Sequence, residues 1–412
     1  MGADLPLFAA VVARLPDPEV HLAAFGSLVF PISLLIEAPI IMLLAASTAL
    51  STDRVAYAKL RRFTHVTGFG LSALHALVAF TPLFDYVAGP LMGVPAEVIE
   101  PARLGLKLMT PWSWAIASRR FQQGVLIRCG HSRAVGVGTM ARLATNALVL
   151  ALGFSSAALP GIAVGCSAIA AGVTAEALFI GWRVRPVLAS DLPSVPPQGV
   201  AALDRRRFAR FYTPLALTPF LTLAAQPLGA AAMARMPAAL SSLAAWPAVH
   251  GLIFLTRSLG IAYNEVVVAL LAKPGASAAL QRFQKRLMLG ATAILLALAL
   301  TPLSSLWFEV LSGLPPELAE LSRAALVFAL ALPACSVLHS WYQGVLLHVS
   351  HSRPITEAVG VSLLVTSLVL AAGTYMESVT GIFACLAALS AGAIAQAAWL
   401  ARRTRGRLAD RG

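Results

Sequence analysis

The chain has 412 residues, 58% of them hydrophobic and only 12% charged, with a mean hydropathy of +0.79. Soluble domains are about one quarter charged, so a water-soluble enzyme of this length and a disordered chain are both excluded. The net charge of +13 would suit a nucleic-acid binder, but its distribution along the chain argues against that partner.

Crossing roughly 30 Å of hydrocarbon takes about 20 apolar residues in a helix, because lipid offers the backbone no other hydrogen-bond partners. A short apolar piece at 3–14 comes first. Predicted spans follow at 22–50, 63–84, 102–128, 135–157, 161–183, 209–234, 242–271, 287–307, 322–347, 355–375 and 379–400. Connections are short except for 183–210, which is Pro-rich and basic. We therefore expect an all-α polytopic membrane protein in four parts: a bundle at 1–185, a cytoplasmic linker at 186–208, a second bundle at 209–400 and a basic cytoplasmic tail at 401–412.

Alternate loops sort by charge. One set, with the tail, holds 22 of the 31 Lys and Arg residues. The opposite set holds four (Arg14, Arg103, Arg235, Arg323) but nine of the 18 acids. This is the positive-inside bias, so the basic balance reports orientation and no nucleic-acid partner is expected. With no cleavable signal pattern ahead of the first span, the expected location is a bacterial-type inner membrane, with the linker and C-terminus in the cytoplasm. The four cysteines (Cys129, Cys166, Cys335, Cys385) lie far apart without ligand spacing, which predicts no disulfide framework, metal site or cofactor.

Laying 81–133 on 301–353, at an offset of 220, needs no gap and gives 17 identities in 53 positions. Thr-Pro-Leu, Gly-x-Pro-x-Glu and Gln-Gly-Val-Leu…His-Ser-Arg all keep one register. Six crossings separate equivalent positions, so the halves are expected to be parallel repeats about an axis along the membrane normal, six helices plus six. At offset 221, Pro6–Pro16 matches Pro227–Pro237 at seven of eleven positions. The second copy has a long helix before that point and the first only Met1–Leu5. A helix starting there begins near mid-bilayer, and we expect a natural start upstream of Met1.

Charged residues inside spans are costly and usually face a cavity or a partner. Those present are Lys107, Arg119, Arg120, Arg142 and Arg257 against Glu37, Glu176 and Glu265. Glu37 and Arg257 differ by 220 and occupy equivalent mid-span places, which suits either an ion pair between the halves or a substrate site at the repeat interface. His250, Arg257 and Asn264 recur every seven residues and share a helical face. Arg119 has His339 as its repeat equivalent, and Gln123 has Gln343. Adjacent Arg119 and Arg120 point to different azimuths, so at least one should line a cavity rather than snorkel. Arg142 and Asn146 suit snorkelling or a helix–helix hydrogen bond. Glu176 and Glu265 are candidates for the coupling ion, Glu176 suiting a pairing with arginine equally well, and His75 reads as a packing residue. The basic excess leans towards an anionic cargo.

The runs Phe25–Leu50, Trp246–Leu270 and Leu318–Leu347, with the duplicated TP…Gln-Gly elements, resemble the progressive ankylosis family. That family is similar to a branch of the multidrug/oligosaccharidyl-lipid/polysaccharide exporter superfamily. The resemblance implies a MATE-like, V-shaped pair of six-helix bundles working by rocker-type alternating access, with helices 1, 2, 7 and 8 around the cleft. The vertebrate relative is associated with export of pyrophosphate, ATP and citrate-like anions, which implies a substrate class. The expectation is a non-enzymatic, monomeric secondary-active exporter of a small organic or phosphate-type anion. Arg257, Arg119, Arg120, Glu37, His250, Asn264, His339, Gln123 and Gln343 are the candidate substrate contacts. The rival readings are a Na⁺- or H⁺-coupled multidrug antiporter and a lipid-linked precursor flippase.

Overall fold

A computed structural model describes residues 4–156, 158–195, 203–271, 273, 275–348 and 353–408. The middle of the predicted linker (196–202) and the end of the basic tail (409–412) lie outside the described residues. Every regular element among the described residues is helical, with no strand. Nine helices there are long and apolar enough to cross a membrane, ten with one bent pair. They match ten of the predicted spans. The remaining one, 102–128, is divided at residues 109–111 into helices of 13 and 17 residues, each too short to rank with them.

The chain divides into two compact units. Residues 28–91 and 96–223 form the N-unit, and 1–27, 92–95 and 224–412 the C-unit. Among the described residues, 4–27 group with the C-terminal half and 203–223 with the N-terminal half.

The N-unit holds α3 (Phe30–Glu37), α4 (Leu43–Leu50), α5 (Arg54–Phe80), α6 (Leu83–Tyr86), α7 (Ala96–Leu108), α8 (Trp112–Arg128), α9 (Ser132–Ser156), α10 (Gly161–Ser190) and the first part of α11 (Arg205–Met233). The C-unit begins with α1 (Asp4–Val12) and α2 (Pro18–Ala24). It continues with the end of α11, α12 (Ala239–Leu270), α13 (Ala276–Leu300), α14 (Leu303–Ser305), α15 (Pro316–Leu326), α16 (Ala331–His348), α17 (Arg353–Met376) and α18 (Gly381–Leu408).

Local chemistry places the helix ends. Asp53 caps α5 by accepting from the amides of Val55 and Ala56, each at 2.9 Å, which uses donors that the first turn otherwise leaves unpaired. In the duplicated Thr-Pro-Leu elements, Thr81 and Thr301 share one backbone geometry (φ −118°), and each hydroxyl accepts from the amide two residues on at 3.3 Å. Both elements run into a π-helical stretch, Val87–Leu91 and Leu306–Leu311, and on to a left-handed glycine, Gly93 (φ 68°) and Gly313 (φ 67°). The repeat therefore extends to backbone detail. Many large apolar side chains stay exposed on the outer faces, among them Val66, Phe69 and Phe80 on α5 and Met140, Leu148 and Leu152 on α9. Acyl chains solvate such surfaces at no cost, and the polar residues turn inward.

Candidate functional site

In the N-unit, α8 is the central helix. Gly124 lets α4 approach so closely that a Cβ there would meet Ser47 and the Leu44 carbonyl. Ser47 donates to the Phe121 carbonyl at 2.7 Å, and Thr48 to the Gly124 carbonyl at 3.2 Å. A second close approach joins α9 to α10, where the Asn146 side chain occupies the space over Gly172. These contacts bring the polar faces of α8, α9 and α10 onto one carboxylate.

That carboxylate is Glu176, 0% exposed. Its Oε2 takes Arg119 Nη1 at 2.8 Å and pairs with Arg142 Nε at 3.3 Å. Its Oε1 takes Gln123 Nε2 at 2.9 Å and the Thr139 hydroxyl at 3.4 Å. Arg119 and Arg142 are themselves 4% and 3% exposed. Two guanidinium groups thus share one carboxylate in a site sealed from water, leaving a net positive charge. Arg119 Nε and Nη2 have no hydrogen-bond partner there. Arg142 makes a helix–helix ion pair and does not snorkel. Glu176 takes the arginine-paired reading, with two arginines in place of one.

Glu37 lies where its span breaks. Helix α3 ends at Glu37, a short 3-10 turn (Ala38–Ile40) passes through Pro39, and α4 resumes at Leu43. The carboxylate, 1% exposed, accepts from Trp112 Nε1 at 2.5 Å. The Pro39 carbonyl at the break accepts from the Tyr212 hydroxyl at 2.5 Å. Arg120 is half-buried on α8. Buried His75 is held by the Leu106 carbonyl, 3.0 Å from Nε2, as a packing residue should be. Trp112 is the Glu37 partner that hydropathy does not reveal, because an indole in an apolar span reads as bulk.

In the C-unit, the polar stripe of α12 is present as spaced, but its members have separate partners. His250 stacks on Trp246 with ring centroids 5.2 Å apart and meets Gln226 Nε2 at 3.1 Å. Asn264 donates to the Ser340 carbonyl at 3.1 Å, and His339 Nε2 lies 2.9 Å from the Ala393 carbonyl. Half-buried Arg257 has no carboxylate within 4 Å among the described residues, and its Nε has no hydrogen-bond partner. Gln343 is half-buried and Glu265 exposed. Glu37 and Arg257 belong to different units. No group of three or more His, Cys, Asp or Glu side chains among the described residues could hold a metal ion.

Two arginines outside the spans form a matched pair inside the C-unit. Arg14 donates to the carbonyls of Ala10, Val310 and Leu311 and covers Gly313; Arg235 donates to Met92 at 2.9 Å and Ala231 at 2.7 Å and covers Gly93. They stand at equivalent positions of the aligned segments Pro6–Pro16 and Pro227–Pro237. On the basic side, hydrogen bonds from Ser190 and then His131 hold the Asp191 carboxyl below the usual carboxylate range.

No family model and no curated protein sequence matches this chain. Solved structures do. An inward-facing multidrug resistance MATE family transporter of the MOP superfamily is similar at a TM-score of 0.73 with 14% identity, covering 100% of this chain and 95% of that one. The lipid II flippase MurJ, in an inward closed conformation, is similar at 0.70 with 14% identity, covering 98% and 86%. A MOP superfamily transporter from Pyrococcus furiosus, described by the reverse polarity of its binding pocket, is similar at 0.58 with 14% identity, covering 98% and 94%. The chain is a multi-pass membrane protein with the MATE-like all-α fold.

Proposed function

We propose that this protein is a secondary-active transporter that exports a small organic or phosphate-type anion by rocker-type alternating access. The fold, shared with transporters and a flippase, supports transport as the class. One observation carries the choice of an anion: Arg257 stands in mid-span on α12 with no carboxylate partner among the described residues. An uncompensated guanidinium in a membrane span is expensive unless water or an anionic ligand reaches it. Arginine also grips carboxylate and phosphate bidentately. The net positive set around Glu176 adds a field of the same sign. The resemblance to the progressive ankylosis family supports the same substrate class, and the basic loops support an inner-membrane orientation with the linker and tail in the cytoplasm.

The test is efflux of radiolabelled citrate and pyrophosphate from proteoliposomes. Arg257→Ala is expected to abolish efflux while inserting normally, and Arg257→Lys to retain part of it. Near-normal efflux by well-inserted Arg257→Ala removes the residue from the mechanism.

A second reading, a cation-coupled multidrug antiporter, is favoured by Glu37, a sealed carboxylate at a helix break of the kind that can hold Na⁺ or H⁺. Dye efflux driven by a sodium or proton gradient, lost in Glu37→Gln, would select it over anion export.

A further inference from the structure

We propose that the first turns of α11 form a binding site for the headgroup of an anionic phospholipid. Arg206, Arg207 and Arg210, with Asp204 and Phe211, line an open groove of about 410 Å³. The single acid is already engaged: Asp204 Oδ1 accepts from the Arg207 amide at 2.6 Å and caps the helix. Three guanidinium groups therefore meet one capping carboxylate, at a helix N-terminus whose unpaired amides add positive potential.

A second feature says what the anion carries. Only 17% of the apolar window of α11 is buried, and Phe211, Leu217 and Phe220 are exposed along it. Arg210 lies five residues into the helix, about 7.5 Å at 1.5 Å per residue. The groove thus sits at headgroup depth, directly above an apolar surface that an acyl chain can follow. Neighbouring α5 extends the basic surface. Its Phe63 packs edge-on against Phe208 at 4.7 Å and Tyr212 at 5.4 Å, and Lys59, one turn earlier on the same face, adds a fourth cation beside the groove. Lys59 also donates to the Leu203 carbonyl at 2.8 Å, tying the start of α5 to the segment that leads into the groove. A phosphodiester with lipid tails fits both features; a free phosphate satisfies only the first.

The experiment uses the full-length protein. Native mass spectrometry of the wild type with equimolar phosphatidylglycerol and phosphatidylcholine should show selective retention of phosphatidylglycerol, and equal retention of both overturns the proposal. Thermal unfolding in nanodiscs supplies the second measurement. Replacing phosphatidylcholine by phosphatidylglycerol should raise the wild-type midpoint, and Arg206→Gln/Arg210→Gln should lose most of that rise, with affinity down on the order of tenfold. An unchanged lipid-dependent rise in the double variant overturns the proposal. So does reproduction of the whole effect by millimolar inorganic phosphate, which would assign the groove to a soluble anion.

Discussion

Glu176 is the residue on which the N-unit interior turns. Removing one partner of a buried charge set leaves the others uncompensated, at a cost of about 3–5 kcal/mol, whereas replacing the whole set by packed apolar residues is often neutral. Glu176→Leu should therefore sharply lower the thermal unfolding midpoint. Arg119→Leu/Arg142→Leu/Glu176→Leu should recover much of that loss. Failure of the triple variant to exceed the single would show that the set contributes more than charge balance. Hydropathy alone marked Arg119, Arg142 and Glu176 as misplaced in lipid. Their convergence was not legible, because the three residues sit on three helices whose relative rotation is set by packing. The identity of the Glu37 partner was hidden for a related reason: an indole N–H is a hydrogen-bond donor inside an otherwise apolar side chain. Trp112→Phe keeps that bulk and removes the donor. It should destabilise by about 1–3 kcal/mol, the cost of leaving a buried acceptor without its donor, read as a lower denaturation midpoint.

Helices are positioned by a few close approaches, and α10 contains its own control. A Cβ at Gly172 would collide with the Asn146 side chain and crowd the Arg142 carbonyl, whereas one at Gly181 would meet nothing within 4 Å. Gly172→Ala must push α9 away from α10 and disturb the arginine pairing with Glu176, at a cost of about 1–3 kcal/mol. Gly181→Ala in the same helix should be neutral or stabilising by up to about 1 kcal/mol, since alanine has the higher helix propensity. Opposite shifts of the two unfolding midpoints are the expected result, and equal destabilisation would contradict the packing assigned to α9 and α10. The repeat equivalents obey the same geometry with different chemistry. Gly392 lies against Thr366 and Ser362, at the places of Asn146 and Arg142. That Gly172 and Gly392 stand 220 residues apart could be read from the sequence. Which helix each one faces could not, because a glycine in a span carries no directional signal of its own.

At the scale of the molecule, duplication explains more than the number of spans. Two copies of one turn, 81–93 and 301–313, share caps, π-helical stretches and left-handed glycines. Each is held by an arginine encoded in the other half of the sequence: Arg14 on Val310 and Leu311, and Arg235 on Met92. The alignment of Pro6–Pro16 with Pro227–Pro237 put these arginines in register, but the exchange between halves needed coordinates, because sequence symmetry does not say whether like segments pair within a half or across halves. The exchange makes a directional prediction for hydrogen–deuterium exchange. Arg14→Ala should speed exchange at 310–314, far from the mutated residue in sequence, and leave 92–95 unchanged; Arg235→Ala should do the reverse. Loss of one charged hydrogen bond to a carbonyl corresponds to roughly a tenfold increase in local opening. If either variant loosened both turns equally, the two arginines would act as one cooperative lock. Local opening of either turn would then require both arginines to let go together.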